Sequence, residues 1–203
     1  MNERTLDIQN LSVWYKTYRG YAEVVDHVSL YVNKGEKIGL VGESGCGKTT
    51  TMKMVMRTLD ERSIKVGEES KILFEGEDVL TMNDKELLEF RRQKASMISQ
   101  SPMAALNPVF TVGQQMMDVL KYSGKFDHKD KEGMLNAARQ AINSVMIPDP
   151  DRILKSYPHQ LSGGMRQRIC IATSLLTPRQ MLIADEPGTA LDVTVQGQIH
   201  KLL

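Results

Sequence analysis

The segment Gly42-Glu43-Ser44-Gly45-Cys46-Gly47-Lys48-Thr49 constrains this chain more than any other. It fits the pattern GxxxxGK[ST], with a short apolar run before it (residues 37–41) that reads as a strand. A Met-, Lys- and Thr-rich stretch after it (residues 49–59) reads as a helix. A strand-to-helix turn rich in glycine lets the backbone curl until successive N–H groups point inward at a polyphosphate. Lys48 adds a point charge, the helix N-terminus adds its partial positive end, and Thr49 offers a hydroxyl to Mg²⁺. A chance lysine in an ordinary glycine turn would not need these flanks. Cys46 lies within the loop, where Lys48 and a helix N-terminus favour thiolate; the plainer reading is a small loop filler.

The surroundings point to an α/β chain. Residues 6–13 and 28–32 alternate apolar and polar, as half-buried strands do, and 71–74 and 95–99 read as further short strands on either side of a charged helix at 85–93. From 112 to 158 Met, Ala, Lys and Gln dominate, and Ala138, Ala141, Ile142 and Val145 recur at helical spacing, which predicts a helical lobe. Pro148, Pro150 and Pro158 fence it. Strand character returns at 181–184, and another helix begins near Val193.

Two further places carry chemistry. The run Met181-Leu182-Ile183-Ala184-Asp185-Glu186 sets two carboxylates at the mouth of a buried strand. Beside a phosphate loop, Asp185 would hold Mg²⁺ and Glu186 would polarise an attacking water as general base. Taken alone, acids ending a strand are ordinary surface residues. Leu161-Ser162-Gly163-Gly164-Met165-Arg166-Gln167 is a loop turning into a helix, in which Ser162 can cap and Gly163 and Gly164 let backbone N–H groups approach an anion. In isolation that too is an ordinary capped start.

Together, the loop at 42–49, Gln100 after a strand, LSGGMRQR at 161–168, LIADEP at 182–187 and ALD at 190–192 resemble the ABC ATPases in order and spacing over nearly the whole chain. The resemblance implies an α/β P-loop NTPase core with an antiparallel β subdomain and an inserted α-helical subdomain. Residues 1–203 would form one ABC ATPase domain, incomplete at its carboxyl end, with core and β subdomain at 1–100 and 177–203 and the helical, signature-bearing subdomain at 101–176. It implies ATP and Mg²⁺ as cofactors and a head-to-tail dimer, identical or mixed, in which ATP lies between the phosphate loop of one subunit and Ser162, Gly163, Gly164 and Gln167 of the other. Thr50 joins Gly42, Ser44, Gly45, Gly47, Lys48 and Thr49 around the nucleotide. Gln100 resembles the family's glutamine that senses Mg²⁺ and the attacking water, and Asp192 the aspartate that contacts the facing subunit. Tyr15 resembles the aromatic that stacks on adenine, although Trp14, Tyr18 and Tyr21 are near and a strand tyrosine covering the core is the alternative.

Several stretches are similar to one branch, the dipeptide, oligopeptide and nickel importer ATPases: GESGCGKT, Gln100-Ser101-Pro102, Ala105-Leu106-Asn107-Pro108, residues 111–115, Tyr157-Pro158-His159-Gln160 and residues 190–196. That branch implies a permease, an extracytoplasmic solute-binding protein reached indirectly, and a place on the cytoplasmic face of the membrane. Gly188 stands where the branch usually has a hydroxyl residue. A non-transport ABC ATPase of chromosome maintenance or translation would need coiled coils or a duplicated cassette, and neither heptads nor a repeat is visible.

Composition adds exclusions. Lys and Arg number 26 against 25 Asp and Glu, so no large positive field calls for nucleic acid, and two cysteines in unrelated contexts suggest neither disulfides nor zinc. No signal pattern or bilayer-length apolar run stands out. The helix near Val193 runs into Leu203 without a stop signal, and the family's histidine switch would follow later. A truncated chain that binds ATP but turns over poorly is therefore expected, and a hydrolysis-poor nucleotide-binding fragment is the alternative.

Overall fold

In the computed structural model, which describes residues 3–101, 105–188 and 191–203, strand β1 (Arg4–Thr17) buries Leu6, Ile8, Leu11 and Val13. The first two residues have one parity along the chain and the last two the other, so a regular strand would turn one pair to solvent. A bulge between Ile8 and Leu11 absorbs the extra residue, with Asn10 at φ 49° and its N–H donating to Ser29 Oγ at 2.9 Å. Pro102 and Ala190, quoted above for the importer resemblance, lie outside the described residues.

The chain divides into two compact units, Met1–Arg91 and Arg92–Leu203. In the first, β1 is the centre of a five-stranded antiparallel sheet. Strand β2 (Gly20–Asn33) pairs along one edge; β3 (Ile64–Val66) and β4 (Lys71–Phe74) pair with successive stretches of the other, and β5 (Glu77–Asp78) extends from β4. Strand β2 begins well before the alternating stretch at 28–32, because pairing with β1 holds a polar segment that has no apolar pattern of its own. Helix α1 (Lys48–Val55) buries Thr50, Thr51, Met54 and Val55, and ends where Arg57 turns to φ 46°. The guanidinium of Arg91 donates to the Met56 carbonyl at 2.9 Å and to that of Arg57, satisfying acceptors left free at the helix end. Helix α2 (Asp84–Glu89) starts from a reciprocal box: Asn83 accepts from Glu86 N–H, and Glu86 accepts from Asn83 N–H.

The strand expected at 37–41 is not formed. Ile38, Leu40 and Val41 are 48%, 39% and 94% exposed, and among the described residues no strand pairs with the segment. An apolar run becomes a strand only where a neighbour takes up its backbone N–H and C=O groups.

In the second unit, β6 (Ala95–Ile98) and β7 (Met181–Ala184) form a parallel pair. Helices α3 (Val112–Tyr122), α4 (Lys131–Ser144), α5 (Pro150–Lys155) and α6 (Gly163–Leu175) share with them one apolar cluster that includes Ile98, Met116, Leu120, Ala138, Ile142, Val145, Ile153, Ile169 and Ile171. The face read from 138, 142 and 145 is therefore the buried one. Pro150 opens a helix and does not close one: it occupies the first turn of α5, where its missing N–H costs nothing, and Asp149 accepts from Arg152 N–H. The helices of 101–176 share one continuous apolar cluster with β6 and β7, and α6 packs on β6. Helix α7 (Val193–Leu202) completes the unit. Among the described residues no helix is long and apolar enough to cross a membrane.

In the first unit Phe74, fully buried, meets Phe90 edge-on with ring centroids 5.1 Å apart. Phe74→Ala should cost ~3–5 kcal/mol of stability, read as a lowered midpoint in urea unfolding; a loss below ~1 kcal/mol would show that the site closes around the cavity.

Candidate functional site

The loop ahead of α1 is shaped by two left-handed glycines, Gly45 at φ 84° and Gly47 at φ 94°. Gly47 needs more than its dihedral: a Cβ there would lie 2.6 Å from the Val24 carbonyl oxygen and 3.2 Å from Val25 Cγ2, because β2 backs directly onto the turn. At Gly42 a Cβ would meet Cys46 Sγ at 2.7 Å. Lys48 Nζ donates to the carbonyls of Gly42 and Glu43, both at 2.6 Å, and so draws the start of the loop towards α1. With Gly47 as N-cap, no side chain caps α1, and its first turn holds no acid. Its leading N–H groups and dipole are thus set for an anion supplied from outside. Ser44, Gly45 and Cys46 are exposed on that loop.

Tyr15 OH lies 3.5 Å from Thr50 Oγ1 at the start of α1, which places a half-buried aromatic ring beside the loop. Trp14 has the opposite facing on β1 and lines a cleft with Ser12, His27 and Lys65, while Tyr18 and Tyr21 stand exposed at the hairpin tip. Of the four aromatics, Tyr15 is the one bonded to α1 among the described residues. Thr50, expected around the nucleotide, is buried, with its hydroxyl in contact with that of Tyr15.

In the second unit the parallel register pairs Ile98 with Ala184, so β6 and β7 leave the sheet at the same edge. Gln100 and Glu186 each lie two residues beyond that pair, and Gln100 Nε2 donates to Glu186 Oε2 at 2.8 Å. Asp185 N–H donates to the Ile98 carbonyl at 3.0 Å, with its side chain buried, whereas Glu186 is exposed and sits at φ 48°. Two adjacent carboxylates therefore occupy different media: one is packed against protein, and the other is held by an amide at the surface.

Helix α6 begins at Ser162, whose Oγ accepts from Met165 N–H at 3.3 Å; Ser162 and Gly163 are exposed, and a Cβ at Gly163 would meet nothing within 4 Å. Gln167, expected at the nucleotide surface, is instead fully buried, with Nε2 donating to the Pro187 carbonyl at 2.8 Å. It lies one turn further along α6 than the exposed end, on the core-facing side. Helical spacing alone does not reveal this, because its neighbours Arg166 and Arg168 are equally polar. Asp192 is exposed and caps α7, accepting from Val195 N–H at 3.0 Å. The place of a Gly188 side chain is taken by Gln196, 2.8 Å from a Cβ there. Cys170 is buried, and burial pushes its thiol up to about 11, whereas Cys46 is exposed.

The ABC transporter family model matches residues 25–189. The chain is 47% identical over 204 residues to the dipeptide transport ATP-binding protein DppD of Bacillus subtilis (strain 168), covering 98% of this chain and 58% of that protein. It is 42% identical to the probable D,D-dipeptide transport ATP-binding protein DdpD of Escherichia coli (strain K12), over 100% of this chain and 61% of that one. It is 40% identical to the oligopeptide transport ATP-binding protein OppD of Bacillus subtilis (strain 168), over 98% and 55%. The chain thus spans somewhat more than half the length of these relatives. Among solved structures, the dimeric post-hydrolysis state of the ATP-binding cassette MJ0796 bound to ADP and Pi superposes with a TM-score of 0.86 at 24% identity, covering 97% of this chain and 80% of that one. That likeness shows the cassette fold.

Gly45 and Gly47 separate strain from crowding. Gly45→Ala should cost ~1–2 kcal/mol for its left-handed backbone, and Gly47→Ala about twice that because a backbone carbonyl blocks the new Cβ. Urea unfolding of the two variants measures the difference; equal costs would mean that β2 yields to the added methyl.

Proposed function

Because the chain belongs to the ABC transporter family, we propose that it is an ATP-binding and ATP-hydrolysing subunit that energises import of peptides or similar small solutes through a partner permease. The observation that carries the hydrolytic part is the 2.8 Å bond from Gln100 to Glu186 at the shared exit of two parallel strands. An exposed carboxylate held by a neutral amide has a fixed aim, as a general base for water requires. The importer part is supported by the names of the relatives at 40–47% identity.

Each unit has its own share of the chemistry. In the first, the leading N–H groups of α1 and the Lys48 ammonium bind the phosphates, and Tyr15 offers its ring to the base. Of the groups that would serve Mg²⁺, the first unit carries the Thr49 hydroxyl and the second unit the Asp185 carboxylate and the Gln100 amide. When bound, the metal supplies charge neutralisation on the phosphate oxygens. Glu186 takes a proton from water as the new O–P bond forms and the bridging bond to ADP breaks. Ser162, Gly163 and Gly164 present a second helix N-terminus to nucleotide held by another subunit, so turnover requires a head-to-tail dimer, and Asp192 contributes at that interface. With this function the subunit works at the cytoplasmic face of the membrane, and a solute-binding protein acts on it through the permease. The whole reads as one ATPase domain, with residues 1–100 and 177–203 supplying the ATP-binding core and 101–176 its signature-bearing part.

Two variants of the whole protein in its transporter separate binding from chemistry. Lys48→Ala should weaken ATP binding at least about tenfold by equilibrium titration. Glu186→Gln should bind ATP within about twofold of wild type and lose on the order of a hundredfold or more in phosphate release and in peptide uptake. Normal turnover in Glu186→Gln removes Glu186 as the base.

A further inference from the structure

Gln167 is a fully buried glutamine of the second unit, and its amide is only half satisfied. Leu161, Ile169, Cys170 and Ile171, close to it in the chain, are all buried. Its Nε2 donates to the Pro187 carbonyl at 2.8 Å, and its Oε1 is buried with no hydrogen-bond partner among the described residues. A half-satisfied amide in an apolar setting is less stable than leucine or methionine of similar volume in the same place. Packing alone therefore does not account for it, and the one bond it makes ends next to Glu186.

That neighbour needs holding. Glu186 has φ 48°, a left-handed conformation that a non-glycine residue keeps only where its surroundings impose it. Among the bonds that hold it are the following. Before it, Asp185 N–H is tied to the Ile98 carbonyl at 3.0 Å; on its side chain, Gln100 donates at 2.8 Å; after it, Gln167 holds the Pro187 carbonyl. The first two belong to the strands β6 and β7 and their exits, and the third comes from a helix.

Helix α6 is a 13-residue rod, and Gln167 lies five residues, or about 7.5 Å along the axis, from Ser162 at its exposed end. A displacement of that end is delivered at Gln167 with little loss, since a regular helix resists compression along its hydrogen bonds. We infer that Gln167 is a positioning residue, which transmits the placement of the Ser162 end of α6 to the backbone carrying Glu186. A phosphate captured at the signature end of a subunit thereby sets the aim of that same subunit's base. The inference rests on the roles of Glu186 and Ser162 proposed above.

The test uses Gln167→Leu, which removes the donor and fills the site with carbon, and Gln167→Glu, which has the same size but donates to Pro187 only while its carboxyl is protonated. The first readout is hydrogen–deuterium exchange of the peptide covering residues 181–188, followed on the chain itself. The second is steady-state hydrolysis by the whole protein in its transporter. Gln167→Leu should melt at or above the wild-type temperature, exchange at least tenfold faster at Glu186 and Gly188, and lose at least tenfold in kcat with KM within twofold. In Gln167→Glu the variant-to-wild-type ratio of kcat should rise as pH falls. Burial raises the new carboxyl's pKa, and its protonated form, dominant below that pKa, restores the bond to Pro187.

Wild-type exchange in Gln167→Leu overturns the inference whatever the turnover does. So does a tenfold loss that falls on KM and leaves kcat intact. Should Gln167→Leu fail to fold, a flat pH ratio in Gln167→Glu overturns it alone. Normal turnover in Glu186→Gln would instead sink the base assignment, while the exchange result would still decide whether Gln167 clamps the strand exit.

Discussion

The parallel pairing of β6 with β7 is the constraint on which the candidate site depends. Its register, Ala95 with Met181 through Ile98 with Ala184, is set by backbone hydrogen bonds and by the burial of Ala95 and Ile98 against the helices of the second unit. Once that register holds, Gln100 and Glu186 must leave the sheet side by side, and Asp185 N–H must meet the Ile98 carbonyl. A slip of one residue would exchange the buried Asp185 for the exposed Glu186 and turn Glu186 into the core. The chemistry at this edge is therefore a consequence of strand pairing before it is a property of any side chain.

Helix ends provide the second constraint, and those of α1, α6 and α7 differ in a way that sorts their tasks. Helix α1 starts at Gly47 with no side-chain cap and no acid in its first turn, so its positive end is unclaimed within the unit. Helix α6 is capped by a neutral hydroxyl, Ser162, which satisfies one amide and leaves the dipole uncancelled. Helix α7 is capped by the Asp192 carboxylate, which already supplies the negative charge such an end attracts. An anion is thus favoured at the first two and opposed at the third. The ordering follows from cap chemistry alone, and it matches the two places where phosphate binding is proposed.

Much of this was legible in the sequence where a single residue type has one physical use. The phosphate loop could be read because Gly45 and Gly47 occupy backbone angles that other residues adopt at a cost, and the acidic strand end because an apolar run of four stops at Asp185. The bulge at Asn10 was implicit in the change of parity between Ile8 and Leu11. Residues 37–41 were misread because their apolar character says that they can pair but not with what. Gln167 was misread for a related reason. It was expected at the nucleotide through the resemblance of LSGGMRQR to the ABC ATPases, and only the packing of α6 reveals that it turns inward. Pro150 shows the same ambiguity in a milder form, since a proline marks a boundary without saying on which side the helix lies.

The strained base gives these pieces a common energetic sense. A left-handed residue other than glycine costs on the order of 1–2 kcal/mol, and a hydrogen bond to a charged group returns roughly 1.5–3 kcal/mol when shielded and less at the surface. The bond from Gln100 to Glu186 is exposed, so it offsets the strain without exceeding it by much. The Asp185 and Pro187 bonds then decide which conformation the exit adopts. A segment balanced in this way is shifted by a change in any one of these ties. The base proposed here, if it acts only once a second subunit has closed over the nucleotide, requires that property. Were Glu186 in relaxed extended backbone with its carboxylate buried, the same residue would be better held and much harder to switch.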